Sequence, residues 1–337
     1  MSDRDPGIAR EAKGKNFSYK TPDGKIVRNA RILGRIRSLH IPPAWKNVWI
    51  CIKSHGHIQS TGFDDRGRKQ YRYHPRWNEI RDQTKFNRMI EFGKALPNIR
   101  KATEKDLKLP GMPKEKILAT IVQLLEKTLI RVGNEEYAKE NNSFGLTTMR
   151  DKHVKFNKSE MSFTFRGKSG VSHVVTLDDP ELTHIIRKCH DLPGYELFQY
   201  IDENGNLRKI DSSDVNGYIQ KISNADFTAK DFRTWSGTVL AAQALQEFTD
   251  AENITQAKKN VVAAIESVAK QLGNTRAICR KCYVHPDIIN AYLDGSLVKN
   301  LSKQLENKIT HSLHSLTPEE AAVMVFLQKR LRGNIKI

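Results

Sequence analysis

Short apolar runs separated by turn-forming residues occupy the first part of the chain, and longer runs of helical period occupy the rest; the change falls near Asn78. Before it, Phe17-Ser18-Tyr19 and Lys25-Ile26-Val27 flank Pro22-Asp23-Gly24 and predict a hairpin, Ala30, Ile32, Leu33 and Ile36 predict a short helix, and residues 48–52 and 58–63 predict two further strands. Asp64-Asp65-Arg66-Gly67 then turns the chain into residues 68–74, a strand in which Lys69, Tyr71 and Tyr73 share one face and Gln70 and Arg72 the other. Beyond Asn78 a helix from Trp77 to about Ala95 is expected to stop before Pro97, with a lysine-rich loop running to Pro113. Ile117, Ile121, Leu124, Leu125 and Thr128 mark an amphipathic helix whose last turn carries Arg131 and which Gly133 can end. Three strands follow, at 153–157, 161–165 and 171–177, the last two joined through Gly167-Lys168-Ser169-Gly170. The remainder reads as helices at 182–189, 214–222, 232–248 and 255–272, a short basic segment ending at Tyr283, and helices at 287–293 and 318–331. The fold class is therefore α+β: a small N-terminal antiparallel β domain over residues 1–78, and a larger, mainly helical domain over 79–337 with a three-stranded sheet.

Charge adds a partner to this picture. Lys and Arg outnumber Asp and Glu by 56 to 38 in 337 residues, a net +18, far more than solubility needs. A polyanion is the economical explanation, with nucleic acid ahead of a membrane surface. No stretch approaches the roughly 18 consecutive apolar residues of a membrane span, and the N-terminal residues lack the apolar core of a signal peptide, so a cytoplasmic protein is expected. Four cysteines in so long a chain argue against a disulfide framework. Cys279 and Cys282 form a C-x-x-C pair, but only His285 stands near to complete a metal site, and no metal or other cofactor is expected.

Candidate chemistry concentrates in the basic segment. Gly273-Asn274-Thr275 closes the apolar pattern before it and offers an N-cap, so residues 275–283 read as about two turns of helix. At i, i+4 and i+7, Arg276, Arg280 and Tyr283 would share one face, where two guanidiniums beside a phenol suit a phosphate. The same spacing also suits a solvated basic face whose tyrosine packs inward. Arg131, Lys168, Arg233 and Asn274 each have an ordinary use as well: a cation at a helix C-terminus, a hairpin tip, a charged residue near a helix start, an N-cap. Gly167-Lys168-Ser169 echoes a phosphate-binding P-loop, but position 162 is serine and a strand follows, which argues against ATP binding there.

Order and local context separate these readings. Arg131 in Ile-Arg-Val-Gly-Asn, Lys168 in Phe-Arg-Gly-Lys-Ser-Gly-Val-Ser-His, Arg233 in Lys-Asp-Phe-Arg-Thr, Asn274 in Leu-Gly-Asn-Thr and Tyr283 in Arg-Lys-Cys-Tyr together resemble the catalytic segments of type IB DNA topoisomerases, in particular the compact poxvirus-like and bacterial group. The resemblance covers nearly the whole chain. It includes Phe144-Gly145-Leu146-Thr147-Thr148 and the strand Gln70 to Tyr73, which is similar to that family's DNA-contacting strand. It implies a monomer whose β domain and helical domain clamp duplex DNA, associated with the nucleoid, and supercoil relaxation through a 3′-phosphotyrosyl link without ATP or metal. It also implies a catalytic set of Tyr283, Arg131, Lys168, Arg233 and Asn274, with Lys69, Gln70, Tyr71, Tyr73, Tyr137, Lys230, Arg276 and Arg280 as candidate DNA contacts. The poxvirus enzymes carry a histidine where this chain has Asn274, and an amide can offer a phosphate oxygen a hydrogen bond but no proton.

The chemistry fits those roles. A free tyrosine of pKa ~10 is about one part in a thousand phenolate at neutral pH, so attack on a phosphodiester needs roughly 4 kcal/mol of activation from neighbouring cations or a base. Two arginines supply cations, and a lysine on a flexible stem suits proton donation to a departing 5′ oxygen. Tyrosine recombinases use a similar Arg, Lys, Arg and Tyr set, but their second arginine follows His-x-x-Arg where this chain has Lys230-x-x-Arg233. A non-catalytic architectural DNA-binding protein would satisfy the charge alone.

Overall fold

Strand alternation at the N-terminus builds an antiparallel sheet of five strands among the described residues: β1 (Gly7–Lys13), β2 (Asn16–Lys20), β3 (Lys46–Cys51), β4 (Ile58–Phe63) and β5 (Lys69–Tyr73), in the order β2-β1-β3-β4-β5. The computed structural model describes residues 2–14, 16–65, 67, 69–248, 253–306 and 316–334. Arg66 and Arg68, expected in the turn and at the start of the fifth strand, lie outside them. Helix α1 (Ala30–Ser38) begins where the Asn29 side chain accepts hydrogen bonds from the amides of Arg31 at 3.0 Å and Ile32 at 3.2 Å. Ile36 packs with Ile8, Val27, Val48 and Ile50 in a small core. The expected hairpin across Pro22-Asp23-Gly24 forms as a short ladder on the edge of β2 away from β1: Lys20 bridges Ile26, the Thr21 amide donates to the Lys25 carbonyl at 2.9 Å and the Val27 amide to the Tyr19 carbonyl at 2.8 Å. β1 escaped the sequence pattern because only Ile8 in it is buried.

By its own contacts the chain divides into Met1–Asn87 and Arg88–Ile337, and the division falls inside helix α2 (Pro75–Leu107). That helix does not stop before Pro97. Proline removes one intrahelical donor at a cost of about 3 kcal/mol, but Met89, Phe92, Leu96, Ile99 and Leu107 are all buried on either side of it. At about 1.5–3 kcal/mol per large apolar side chain, their burial outweighs the break.

The second unit is built around helix α3 (Lys114–Thr128). Every residue from Ile117 to Leu125 in it is buried, so it is a central helix rather than an amphipathic one. Its two buried polar groups are satisfied: Thr120 donates to the Lys116 carbonyl at 2.8 Å, and Gln123 donates to the Thr103 hydroxyl at 2.9 Å. The short helix α4 (Glu135–Asn141) follows, then an antiparallel sheet of β6 (Val154–Asn157), β7 (Glu160–Arg166) and β8 (Ser172–Asp178), as the alternation required. Next come α5 (Pro180–His190), the small pair β9 (Gln199–Ile201) and β10 (Leu207–Lys209), α6 (Ser212–Ser223), α7 (Ala229–Gln246), α8 (Ile254–Leu272), α9 (Arg276–Cys282), α10 (Pro286–Leu293), α11 (Leu297–Glu306) and α12 (Pro318–Asn334). The architecture is α+β, as expected. Among the described residues no helix is long and apolar enough to cross a membrane.

One polar knot ties four of these helices. The Arg100 guanidinium of α2 lies 2.5 Å from Glu126 of α3 and 2.9 Å from Glu320 of α12, and Glu320 also accepts from the Trp235 indole of α7 at 3.1 Å. Burial pushes the Glu126 carboxyl above its ordinary value, against the pull of Arg100. Removing the cation would leave two largely buried acids facing each other. Arg100→Ala is therefore expected to lower the unfolding free energy by about 3–5 kcal/mol in urea titrations at neutral pH. The deficit should shrink on acidification, because a folded-state pKa raised further binds protons before the unfolded chain does; a deficit under about 1 kcal/mol would show that the knot contributes little.

Candidate active site

The site begins where α3 ends. Leu129, not glycine, terminates the helix in the left-handed conformation, φ 56°, a strained choice for a branched side chain. The turn buries Ile130 and releases Arg131, which lies three residues beyond the helix rather than in its last turn as expected; Gly133 does not end it. The backbone of this segment is held by Phe144-Gly145-Leu146-Thr147-Thr148: the Leu146 amide donates to the Arg131 carbonyl at 2.9 Å and the Thr147 amide to the Val132 carbonyl at 2.7 Å. That motif therefore sets the position from which Arg131 projects.

Arg131 donates to the Asn274 side-chain oxygen at 2.5 Å and to the Gly273 carbonyl at 3.2 Å. Gly273 ends α8 in the left-handed region, and Thr275 caps α9 by accepting from the Ile278 amide. Asn274 is thus no N-cap: its oxygen orients an arginine. Burial pushes the Arg131 guanidinium below its ordinary value, and the Tyr283 phenol, through charge and a hydrogen bond, pulls it back up.

Arg233 comes from the first turns of α7 and is only 4% exposed. One arm of its fork donates to the Leu129 carbonyl and the other to the Leu272 carbonyl at 2.6 Å. Its guanidinium lies 5.2 Å from the centroid of the Tyr283 ring. Burial first, then repulsion from Arg131, brings its pKa down to about 10, opposed by the Tyr283 phenol. It stays charged at neutral pH. Among the described residues neither Arg131 nor Arg233 has a carboxylate partner in an ion pair, so two adjacent cations, one of them fully buried, are neutralised only by carbonyl dipoles, an amide and a phenol.

Tyr283 is the C-cap just beyond α9, at φ −131° and ψ −11°, and is half-buried. Helix α7 grips its backbone. Gly237 lets the helix approach so closely that a Cβ there would sit 2.8 Å from the Tyr283 carbonyl, the Thr238 hydroxyl lies 3.2 Å from that carbonyl, and the His285 amide donates to the same hydroxyl at 3.1 Å. The shared face with Arg276 and Arg280 does not form, because the chain leaves helical geometry at Tyr283. Both arginines are exposed, and Arg276 lies 4.0 Å from Glu266. Tertiary folding supplies the phenol with Arg131 and Arg233 in their place. Cys279 is buried beneath, its thiol pushed up to about 11 by burial, which makes it an inert packing group.

Lys168 stands on the tip between β7 and β8, exposed and without a hydrogen bond or ion pair among the described residues. The structure brings together Arg131, Arg233, Asn274 and Tyr283, and leaves Lys168 on its hairpin. A strand, not a helix, follows Gly167-Lys168-Ser169. One residue that sequence reasoning passed over sits between these parts: His173 of β8, stacked on Phe165 with ring centroids 5.1 Å apart, its Nε2 buried and without a hydrogen-bond partner among the described residues. Its signal was its place five residues after Lys168, at the end of the segment Phe-Arg-Gly-Lys-Ser-Gly-Val-Ser-His.

In the other unit, Tyr71 and Tyr73 of β5 stack at 6.0 Å, and the Lys69 ammonium lies 5.8 Å over Tyr71, the face the alternation required. Lys69 pairs with Asp3, and Gln70 donates to Asp64 at 3.0 Å. Tyr137 on α4 and Lys230 on α7 are exposed.

Known proteins are similar to this chain in sequence. Residues 74–311 match the family model of the eukaryotic DNA topoisomerase I catalytic core, and residues 16–64 match that of the bacterial DNA topoisomerase IB N-terminal domain. The chain is 36% identical over 285 residues to the DNA topoisomerase 1B of Acanthamoeba polyphaga mimivirus, which covers 82% of this chain and 85% of that one. It is 25% identical over 249 residues to the DNA topoisomerase 1B of Vaccinia virus (strain Copenhagen), covering 72% and 75%. Arg131, Lys168, Arg233, Asn274 and Tyr283 all fall inside the matched core, and with a core match of this extent the chain belongs to the type IB DNA topoisomerases.

Proposed function

We propose that the protein relaxes supercoiled duplex DNA by cutting and resealing one strand through Tyr283, without ATP or a metal ion. The observation that carries this reading is the pair of adjacent guanidiniums, with no carboxylate ion-pair partner among the described residues, converging on one phenol. Such a site favours an anion, and it favours a growing anion most: as the tyrosine oxygen bonds to phosphorus, charge accumulates on the two non-bridging oxygens, where a fixed guanidinium needs no reorganisation to stabilise it. Arg131 and Arg233 take that role, and Asn274 holds Arg131 while offering its amide N–H to the phosphate. Tyr283 reacts as its phenolate, its proton passing to solvent while the two guanidiniums stabilise the anion, and the bond from phosphorus to the 5′ oxygen breaks as the one to the tyrosine forms. On religation the released phenolate takes a proton back from solvent. Lys168 gives a proton to the departing oxygen, and religation runs the same steps backwards, the 5′ hydroxyl returning its proton to lysine. The phosphotyrosyl ester retains the energy of the broken bond, so no nucleotide is consumed.

Binding has its own residues in this reading. Lys69, Gln70, Tyr71 and Tyr73 on β5, with Tyr137, Lys230, Arg276 and Arg280, contact duplex DNA, and the monomer acts as a clamp on the nucleoid. Asp3 and Asp64 occupy Lys69 and Gln70 in the free protein, so DNA must displace them. The net charge of +18 makes phosphate contacts the main source of affinity.

Tyr283→Phe keeps the ring and removes the nucleophile. It should fold and bind DNA as the parent does, yet leave supercoiled plasmid unrelaxed in EDTA without ATP and form no covalent adduct, whereas the parent gives a ladder of relaxed forms; an adduct mapped to another residue would overturn the assignment. Lys168→Ala should cleave about 10²–10⁴-fold more slowly. Replacing the 5′ bridging oxygen by sulfur, a leaving atom that needs no acid, should restore much of that rate, and an absence of rescue would remove the acid role. Alanine at both Tyr71 and Tyr73 should weaken DNA binding by about tenfold or more in filter or anisotropy assays, as lost ring contacts with DNA predict; unchanged binding and cleavage would make the stacked pair a structural feature of the sheet alone.

A further inference from the structure

His173 lies where three parts of the site meet. A Cβ added to Gly167 would sit 2.6 Å from the His173 ring, and one added to Gly273 would sit 2.1 Å from it. Gly167 precedes Lys168 and Gly273 precedes Asn274, so the imidazole is wedged between the two backbone positions that carry those side chains. The same ring lines a cavity of about 20 Å³ together with Leu129, Arg131, Arg233 and Leu272. On that measure a single water needs roughly 10–15 Å³, so the space is large enough for one water.

Two buried polar atoms of residues lining this cavity lack a hydrogen-bond partner among the described residues, His173 Nε2 and Arg233 Nε. Leaving both unsatisfied in a packed interior would be costly. They are complementary, since a guanidinium N–H can only donate and a neutral imidazole nitrogen can accept. Burial, then the charges of Arg131 and Arg233, hold the imidazole pKa below its ordinary value and keep that acceptor available.

We propose that His173 is a positioning residue for the cleavage chemistry: one buried water accepts the Arg233 Nε–H and donates to His173 Nε2, completing the set of bonds that aims Arg233 at the scissile phosphate. With both terminal arms held by the Leu129 and Leu272 carbonyls, this bond fixes the third vertex of the guanidinium and ties it to the Lys168 hairpin. The inference rests on Arg233 as a phosphate-holding cation, and the wild-type protein and Tyr283→Phe serve as controls for that: if the wild type fails to cleave, the proposed function fails; if it cleaves normally, a change in the variants concerns His173 alone.

Two variants separate a polar role from a steric one. His173→Phe retains a ring and loses the acceptor; His173→Gln loses the ring and keeps a polar atom at about the same reach. Single-turnover cleavage by His173→Phe should fall roughly tenfold, the scale of one buried hydrogen bond, with DNA affinity unchanged, and His173→Gln should recover most of that loss. Parent-like cleavage by the phenylalanine variant, or a glutamine variant as slow as it, would refute the bridge. A high-resolution crystal structure of the wild type decides independently of whether either variant folds. A water within 2.7–3.2 Å of both nitrogens is expected, and a dry cavity beside other ordered buried waters would rule the proposal out.

Discussion

The buried fork of Arg233 is the constraint on which the rest of the site depends. One guanidinium spans the C-terminus of α3 and the C-terminus of α8, donating to a backbone carbonyl at each. Helix C-termini carry partial negative charge, so they are among the few uncharged places where a desolvated arginine is tolerated. Leu129 makes that possible by turning left-handed, which points its carbonyl at Arg233 and sends the chain on toward Arg131. The fold thus buries a cation by spending helix ends on it, and among the described residues no carboxylate forms an ion pair with it.

Arg100 has the opposite surroundings. That arginine is also largely buried, but two glutamates surround it, and although burial would lower its pKa their charge holds it above the ordinary value. Arg233 moves in the opposite direction, because burial and a second arginine act together. Both are arginines inside one hydrophobic core, yet the first is a fastening between helices and the second a held charge. Where the counterions lie distinguishes them, and residue type does not.

Much of the framework was legible in sequence because it rests on local rules. Alternation in Lys69 to Tyr73 located a strand whose tyrosines do stack, and Gly167–Gly170 marked the turn between β7 and β8. Gly273-Asn274-Thr275 located the break between α8 and α9, where Gly273 proves to be a left-handed stop and Thr275, not Asn274, the cap. What escaped was set by packing at a distance. β1 has a single buried side chain and no readable alternation; α2 runs through Pro97 because apolar burial on both sides outweighs the lost donor; Leu129 carries no compositional sign of its conformation. Helical spacing assigned Tyr283 the wrong arginines, since Arg233 and Arg131, which stand beside it, lie 50 and 152 positions away along the chain. The five catalytic candidates came from ordered motifs, and the convergence of Arg131, Arg233 and Asn274 near the phenol is a property of the tertiary fold.

The grip of α7 on the tyrosine backbone has a mechanical consequence. With Gly237 allowing close approach and the Thr238 hydroxyl bridging the Tyr283 carbonyl and the His285 amide, the residue is fastened through the chain just beyond its Cα to a long core helix. Under the proposed chemistry the phenolic oxygen is the sole covalent tether of a DNA end while the rest of the duplex turns under torque. A tyrosine on a compliant loop would yield to that load and carry the broken end away from the hydroxyl it must rejoin. Anchored as it is, the load would pass through these backbone contacts into α7, the helix that also carries Arg233, so under that chemistry the attached end and the charge that must reseal it recoil together.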